Sequence, residues 1–183
     1  MQGWWVASYV MLWFLVIALS VIVVALARQV GTLHLRLGPR GALEMDDEGP
    51  PIGEAPVPLE TPDEKGREVR IGGPGTGQLL LFVSPNCMVC DQVLPALRAV
   101  ASATDLEPYV LTDAVADDVQ TLIAKSPGAP IVSSPEAARL YEVPGTPYAV
   151  VLDELGVVRA KGTVNNLEQV EGLVDTARRR KAV

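Results

Sequence analysis

The sequence predicts a mixed α/β domain, with a central mixed sheet flanked by helices, that follows an amino-terminal transmembrane helix. An uncharged apolar run at residues 4–27 predicts the helix. From residue 57 onward, short apolar runs typical of strands alternate with segments of helical periodicity, which predicts the domain. The chain of 183 residues is long enough for one such domain and an appendage.

The apolar run is long enough to cross a bilayer, because a helix rises about 1.5 Å per residue and the hydrocarbon core is about 30 Å thick. An interfacial aromatic belt is expected near its start, formed by Trp4, Trp5 and Tyr9. The alternative is a signal peptide cleaved at Ala25-Leu26-Ala27. The length of the run, and the lack of a positive region before it, favour a retained anchor at residues 1–28.

The orientation of the anchor has two opposing indications. Arg28, Arg36 and Arg40 follow the apolar run, and the positive-inside rule would then place the domain in the cytoplasm. The rule is weak for long translocated domains, and the redox chemistry described below favours the periplasm. Both topologies stay open on the sequence alone.

Residues 29–51 are predicted to connect the anchor to the domain. Gly38-Pro39 is expected to end any helix in this segment. Residues 44–58 are acidic and rich in proline and glycine, so they predict an extended tether without a core of its own. The folded domain is assigned to residues 52–183.

Short apolar runs bounded by turn residues predict the strands. Residues 61–66 supply the turn of a first hairpin, and residues 79–83 form a continuous apolar run typical of a buried strand. The predicted strands are, in order, residues 57–60, 68–71, 79–83, 108–111, 131–132, 148–152 and 157–161, of which the last two form a hairpin.

Apolar side chains at helical spacing predict the helices. The first helix of the domain has an apolar face that includes Val89, Val93 and Leu97. The last helix is expected to be capped by Asn165 or Asn166, and the basic residues at its end suit the carbonyl-rich terminus. The predicted helices are residues 88–103, 115–124, 135–141 and 167–180.

The two cysteines of the chain, Cys87 and Cys90, lie between a predicted strand and a predicted helix. A zinc site needs about four ligands, and the one histidine, His34, lies beside the membrane helix. A purely structural bridge over so few residues would constrain the unfolded chain very little. Thiol–disulfide exchange is therefore the favoured interpretation.

The two thiols are expected to have different roles. Cys87 at the helix N-terminus is expected to be the low-pKa attacking nucleophile. Cys90 lies on the same helical face, where it can attack a mixed disulfide as the resolving thiol. Asp91 could tune either thiol, but we favour an ordinary first-turn carboxylate that suits the helix dipole.

Two prolines add to this arrangement. Pro95 lies inside the predicted helix, where a proline removes a hydrogen bond and introduces a kink. Pro147 immediately precedes a strand, which predicts a cis X-Pro bond, with an ordinary loop proline as the alternative. A cis proline there would present the backbone of Thr146 for pairing with a substrate chain.

This combination of strand, Cys-x-x-Cys, helix and Thr-Pro before a hairpin resembles the thioredoxin superfamily, from residue 52 to the C-terminus. More narrowly, the chain resembles the MauD family of methylamine utilisation proteins. The segments that carry this resemblance are ARQVGTLH at 27–34, FVSPNCMVC at 82–90, PYAVVLDELG at 147–156 and RAKG at 159–162.

The resemblance implies an oxidoreductase or isomerase that is anchored in the cytoplasmic membrane and faces the periplasm. It implies a role in forming or reshuffling disulfides of the methylamine dehydrogenase small subunit, with a membrane redox partner that recycles the cysteine pair. It assigns the redox pair to Cys87 and Cys90 and the substrate side to Pro147. With the backbone of Thr146 these residues make up the predicted site, for which no cofactor and no metal are expected. A reductase for cytochrome c maturation and a non-catalytic chaperone or scaffold are the alternatives.

Two positions depart from the pattern of the relatives. Met88 stands where they usually have proline, and Leu81 occupies the position of the buried acid of thioredoxins. Both positions influence the reduction potential, so the direction of electron flow stays open. The net charge of −7, without a basic stripe, argues against nucleic acid as a partner.

Overall fold

The computed structural model describes residues 3–36, 48–85, 87–114, 116–125 and 128–181, without the side chains of residues 26–36 and 116–117. The chain divides into two compact units, Met1–Gly38 and Pro39–Val183. The domain boundaries at residues 28 and 52 stay predictions.

The first unit contains one long helix, α1, Gly3–Arg36. Its segment Gly3–Ala25 is long and apolar enough to cross a membrane, and none of it is buried within the protein. The hydroxyls of Ser8 and Ser20 donate to the carbonyls of Trp4 and Val16, at 3.0 and 2.8 Å, so these polar groups are satisfied within the helix. The predicted amino-terminal apolar helix is confirmed, and the expected helix end at Gly38-Pro39 lies outside the described residues.

The second unit has the predicted alternation of strands and helices, with described ends that differ from the predicted ones by at most two residues. The strands are β1 Leu59–Pro62, β2 Glu68–Ile71, β3 Gln78–Phe82, β4 Glu107–Thr112, β5 Ile131–Ser133, β6 Tyr148–Leu152 and β7 Val158–Thr163. The helices are α2 Met88–Ser102, α3 Ala116–Lys125, α4 Pro135–Leu140 and α5 Leu167–Lys181.

Two element ends show why these limits differ. The strand predicted from residue 57 begins at Leu59, because Pro58 lacks the backbone N–H of a paired strand residue. The predicted start of α3 at residue 115 lies outside the described residues. At the start of α5, Asn166 is the cap: its Oδ1 accepts from the backbone N–H of Gln169 at 3.0 Å.

The sheet is mixed, as predicted. Its five strands have the order β5-β4-β3-β6-β7, and β1 and β2 form a separate hairpin. Strand β3 is parallel to β4 and antiparallel to β6, and β6 is antiparallel to β7. The central strand β3 is buried along its whole length, which explains its uninterrupted apolar sequence.

Each face of the sheet has its own apolar layer. On one face, Leu79, Leu81 and Val151 belong to the layer that includes buried side chains of α2, α3 and α5. On the other face, Leu80, Phe82 and Val150 belong to the layer that includes β2 and α4. Because α2 is the element that follows β3 in the chain, its first residue, Met88, comes shortly after the carboxyl end of the central strand.

Residues 48–54, which we call the amino-terminal strap, lie against the domain. They belong to the segment that the sequence predicted as a tether, of which residues 44–47 lie outside the described residues. The backbone N–H of Gly53 donates to the carbonyl of Val158 at 2.8 Å, and the N–H of Val158 donates to the backbone carbonyl of Glu54 at 2.8 Å. The side chain of Ile52 packs on the apolar layer that faces α4.

Candidate active site

Cys87 and Cys90 lie at the point where the central strand passes into a helix. Cys87 is the N-cap of α2, with extended backbone angles φ −97° and ψ 105°, and Cys90 is in the first turn. The two residues form a disulfide with their Cα atoms 5.2 Å apart. Because an N-cap side chain faces the unpaired N–H groups of the first turn, the sulfur of Cys87 occupies the position of a helix cap.

The two sulfurs have unequal environments. The backbone N–H of Cys90 donates to Sγ of Cys87 at 3.1 Å. Cys87 is half-buried, whereas Cys90 is 0 % exposed and belongs to the core. An incoming thiol can therefore reach Cys87 and not Cys90, and the helix N-terminus favours negative charge on Cys87.

The Thr146–Pro147 segment faces the disulfide from another loop. The peptide bond between the two residues is cis, as the sequence predicted. Sγ of Cys87 lies 4.0 Å from the carbonyl oxygen of Thr146, and Thr146 is exposed while Pro147 is buried. The carbonyl of Pro147 accepts from the N–H of Val164 at 3.3 Å. The structure thus brings all four residues of the predicted site together.

The residues between the two cysteines are apolar, and Cys90 lies in an apolar layer. Met88 directly follows Cys87 and is 84 % exposed, and Val89 is also exposed. Leu81 is buried in the same apolar layer as Cys90, so an alkyl side chain fills the position where thioredoxins have an acid. Met88 therefore offers a flexible apolar contact next to the accessible sulfur.

Asp91 has a partner that the sequence did not indicate. Its Oδ2 lies 2.9 Å from Nζ of Lys125, at the end of α3, and both side chains are partly exposed. The favoured interpretation of Asp91 as an ordinary first-turn carboxylate agrees with its place in α2, and the ion pair with Lys125 adds to it. No local sequence signal could show it, because the pair depends on how α3 packs on α2.

Comparisons with known proteins identify the family of the chain. No family model matches the chain. The methylamine utilization protein MauD of Methylorubrum extorquens is 39 % identical over 175 residues, which cover 93 % of this chain and 85 % of the relative. The MauD of Paracoccus denitrificans is 36 % identical over 183 residues, which cover 97 % of this chain and 91 % of that relative. This chain belongs to the MauD family.

Solved structures show that this chain has a thioredoxin-like fold. It is similar to the thioredoxin domain of a thiol-disulfide oxidoreductase from Bacteroides vulgatus, with TM-score 0.57, 17 % identity, and coverage of 69 % of this chain and 97 % of that one. It is also similar to a thio-disulfide isomerase from Thermus thermophilus, with TM-score 0.56, 25 % identity, and coverage of 69 % and 96 %. MauD membership and these neighbours support a thiol–disulfide oxidoreductase.

Proposed function

We propose that this member of the MauD family is a periplasmic thiol–disulfide oxidoreductase that forms or rearranges disulfides in the small subunit of methylamine dehydrogenase. The observation that carries the proposal is the accessible Sγ of Cys87 at a helix N-terminus, 4.0 Å from the Thr146 carbonyl. The name of the family connects the chain with methylamine utilization. An exported enzyme subunit with several disulfides fits both the accessible sulfur of Cys87 and the connection with methylamine utilization.

Disulfide formation would proceed by two exchange steps. A substrate thiolate attacks Sγ of Cys87, the Cys87–Cys90 bond breaks, and Cys90 leaves as a thiolate. A second substrate thiolate then attacks the substrate sulfur of the mixed disulfide and releases Cys87. The substrate loses two electrons and two protons, which the cysteine pair gains, and a membrane redox partner reoxidises the pair.

Isomerisation would use the reduced pair. The thiolate of Cys87 attacks a substrate disulfide, and the freed substrate thiolate can then attack another bond of the same chain. If the mixed disulfide persists, Cys90 attacks Sγ of Cys87 and releases the reduced substrate. The burial of Cys90 fits this role, because a resolving thiol needs access to Cys87 only.

Thr146 and Pro147 would bind the substrate beside the disulfide. Thr146 is exposed, so its backbone can pair with an extended substrate segment. The carbonyl of Pro147 is already bonded to Val164. The exposed side chain of Met88 borders the same place. A substrate chain held there would present its cysteine to Cys87.

A trapping experiment tests the substrate. In a Cys90→Ser chain the mixed disulfide cannot be resolved, so we expect a covalent adduct with the methylamine dehydrogenase small subunit. The adduct is detected on non-reducing gels and identified by mass spectrometry in cells that make the enzyme. The matched control is Cys87→Ser, which keeps one cysteine but removes the accessible sulfur. Absence of the adduct, with both chains present at normal levels, contradicts the proposed substrate.

Labelling tests the proposed side of the membrane. In the Cys90→Ser chain Cys87 is the one thiol, and a membrane-impermeant maleimide should label it in intact spheroplasts. Lysis with detergent gives the total labelling. A thiol that reacts only after lysis would place the domain in the cytoplasm, as the arginines after the helix would predict.

A further inference from the structure

The amino-terminal strap, residues 48–54, is bound to the strand that begins directly after Pro147. We propose that the strap is a positioning element of the redox site: it holds Tyr148, and thereby the adjoining Thr146–Pro147 segment, in the arrangement that binds a substrate chain. The inference rests on the proposed function, because it assigns substrate binding to that segment. It gives part of the predicted tether a positioning role outside the reacting groups of the site.

Two buried polar side chains hold the strap. The hydroxyl of Tyr148 donates to the carbonyl of Glu48 at 3.2 Å, and Nζ of Lys161 donates to the carbonyl of Gly49 at 3.5 Å. Tyr148 and Lys161 are 3 % and 1 % exposed, and they lie on the neighbouring strands β6 and β7. Because each reaches a backbone carbonyl, the strap is recognised by its main chain.

The backbone conformation of Gly49 and its lack of a Cβ allow this close contact. Its φ of +76° favours glycine, and a Cβ at this position would collide with the hydroxyl of Tyr148. At the other end of the strap, Gly53 and Glu54 exchange two backbone hydrogen bonds with Val158 of β7. Both ends of the strap are therefore fixed to the sheet.

The path from the strap to the disulfide is short. Tyr148 is paired in register with Phe82, the last residue of β3, and directly follows Pro147. The carbonyl of Thr146, on the other side of Pro147, lies 4.0 Å from Sγ of Cys87. The side chain of Tyr148 belongs to the apolar layer opposite α2, so the strap acts on the site through Tyr148 and not on the sulfurs.

A Gly49→Val substitution in the full-length chain tests the inference, since the added side chain displaces the strap from Tyr148. Gly66→Val is the matched control. Gly66 has a similar φ of +73° in the β1–β2 turn, but a Cβ added there would meet no other atom within 4 Å. Both variants lose the favourable backbone angle of glycine. They differ in the contact with Tyr148.

The assay uses the reduced protein in detergent and two probes with the same leaving group. One is an unstructured peptide with a single cysteine activated as a thiopyridyl disulfide, and the other is dipyridyl disulfide. With the peptide, Cys87 attacks the peptide sulfur and releases pyridine-2-thione, and Cys90 then displaces the peptide thiol. With dipyridyl disulfide the same two steps release two pyridine-2-thiones. The small probe has no chain to bind at Thr146.

We expect Gly49→Val to raise the half-saturating peptide concentration by about tenfold, with a rate for the small probe within about twofold of wild type. Tyr148→Phe, which removes one hydroxyl and keeps the ring, should shift the same value by about two- to threefold, and it decides the question if Gly49→Val does not fold. Equal peptide affinities for Gly49→Val and Gly66→Val contradict the inference alone. A wild-type chain that reacts with neither probe contradicts the proposed function.

Discussion

Cys87 and Cys90 are covalently joined, yet only one of them is accessible to a partner. The N-cap position gives Cys87 a backbone N–H at 3.1 Å and the positive end of the α2 dipole. Cys90 is enclosed by the apolar layer that also holds Leu81. These surroundings favour a thiolate on Cys87 and disfavour one on Cys90, because burial in apolar surroundings penalises charge.

Alkylation of the reduced protein tests this difference. In the Cys90→Ser chain, the rate of reaction of Cys87 with iodoacetamide should be half-maximal at a pH below about 8.5, the value of an unperturbed thiol. In the Cys87→Ser chain, Cys90 should react more slowly at every pH and reach its half-maximal rate at a higher pH. Equal profiles would contradict the assignment of attacking and resolving thiols.

Tyr141 provides a residue-scale test of the core. It is fully buried, its ring contacts Phe82 with centroids 5.7 Å apart, and its hydroxyl has no hydrogen-bond partner among the described residues. Burial raises the pKa of Tyr141 far above its usual range. We expect Tyr141→Phe to leave the free energy of unfolding unchanged or to raise it by up to about 1 kcal/mol.

Tyr148→Phe is the matched control, because it removes a hydroxyl that donates to Glu48. It should lower the free energy of unfolding by about 0.5 to 1.5 kcal/mol. Urea denaturation measures both variants. Equal losses of unfolding free energy in Tyr141→Phe and Tyr148→Phe would contradict the difference in hydrogen bonding between the two hydroxyls.

At this scale, the spacing of Cys87 and Cys90 and the position of Thr146–Pro147 before a strand predict the candidate site. The structure brings these four residues together, and their roles stay proposals. Lys125 and the strap could not be recognised. The pairing of Lys125 with Asp91 depends on helix packing, and the strap is held mostly through backbone hydrogen bonds, which leave no periodic side-chain signal.

At the scale of elements, the two hairpins are closed by turns of the same design. In the β1–β2 turn, Oδ1 of Asp63 accepts from the N–H groups of Lys65 and Arg67 at 2.9 and 2.8 Å. In the β6–β7 turn, Oδ1 of Asp153 accepts from the N–H groups of Leu155 and Val157, both at 2.9 Å. A buried aspartate thus replaces backbone partners in each turn.

Asp153→Asn tests the contribution of such a turn. Burial alone would raise the pKa of Asp153, but the N–H groups of Val157 and Leu155 and the Arg159 side chain outweigh it and lower the pKa. We expect the variant to lose about 1 to 3 kcal/mol of unfolding free energy at neutral pH, since hydrogen bonds to a charged group are lost. The measurement is urea denaturation as a function of pH.

The pH dependence has a definite sign. A carboxylate with a lowered pKa in the folded state stabilises the protein above its unfolded pKa, and this stabilisation is lost as the pH falls through the folded pKa. The gap in unfolding free energy between wild type and Asp153→Asn should therefore narrow as the pH falls below about 4, the pKa of an unperturbed aspartate. Asp175→Asn is the exposed control, expected to change stability by less than about 0.5 kcal/mol. A gap that stays constant with pH would contradict the role of the charge.

Most elements could be predicted because burial leaves a periodic trace. The apolar run of β3 and the apolar face of α2 each indicate which side chains are buried in the core. Residues 48–54 carry no such trace, since a composition rich in acid, proline and glycine is typical of tethers. The strap binds nevertheless, because Gly49 allows a close approach to Tyr148 that other residues would block.

At the scale of the whole molecule, the chain combines a helix suited to a bilayer with a thioredoxin-like unit. The sequence predicts both units. The length and hydropathy of the apolar run predict the helix, and the alternation of strand and helix patterns predicts the domain. The strand order β5-β4-β3-β6-β7 has no local signal, and the sequence predicted only a central mixed sheet flanked by helices. Membership of the MauD family then connects the chain with methylamine utilization.

The most direct test measures methylamine dehydrogenase activity in cells that lack the natural chain and receive either wild type or a Cys87→Ser, Cys90→Ser double variant. Membrane levels of the two chains are matched by immunoblotting, so that a folding defect is not mistaken for lost exchange. Wild type should restore the active dehydrogenase, and the double variant should leave its small subunit without correct disulfides and inactive. Full restoration by the double variant would contradict thiol exchange as the function and would favour a scaffold.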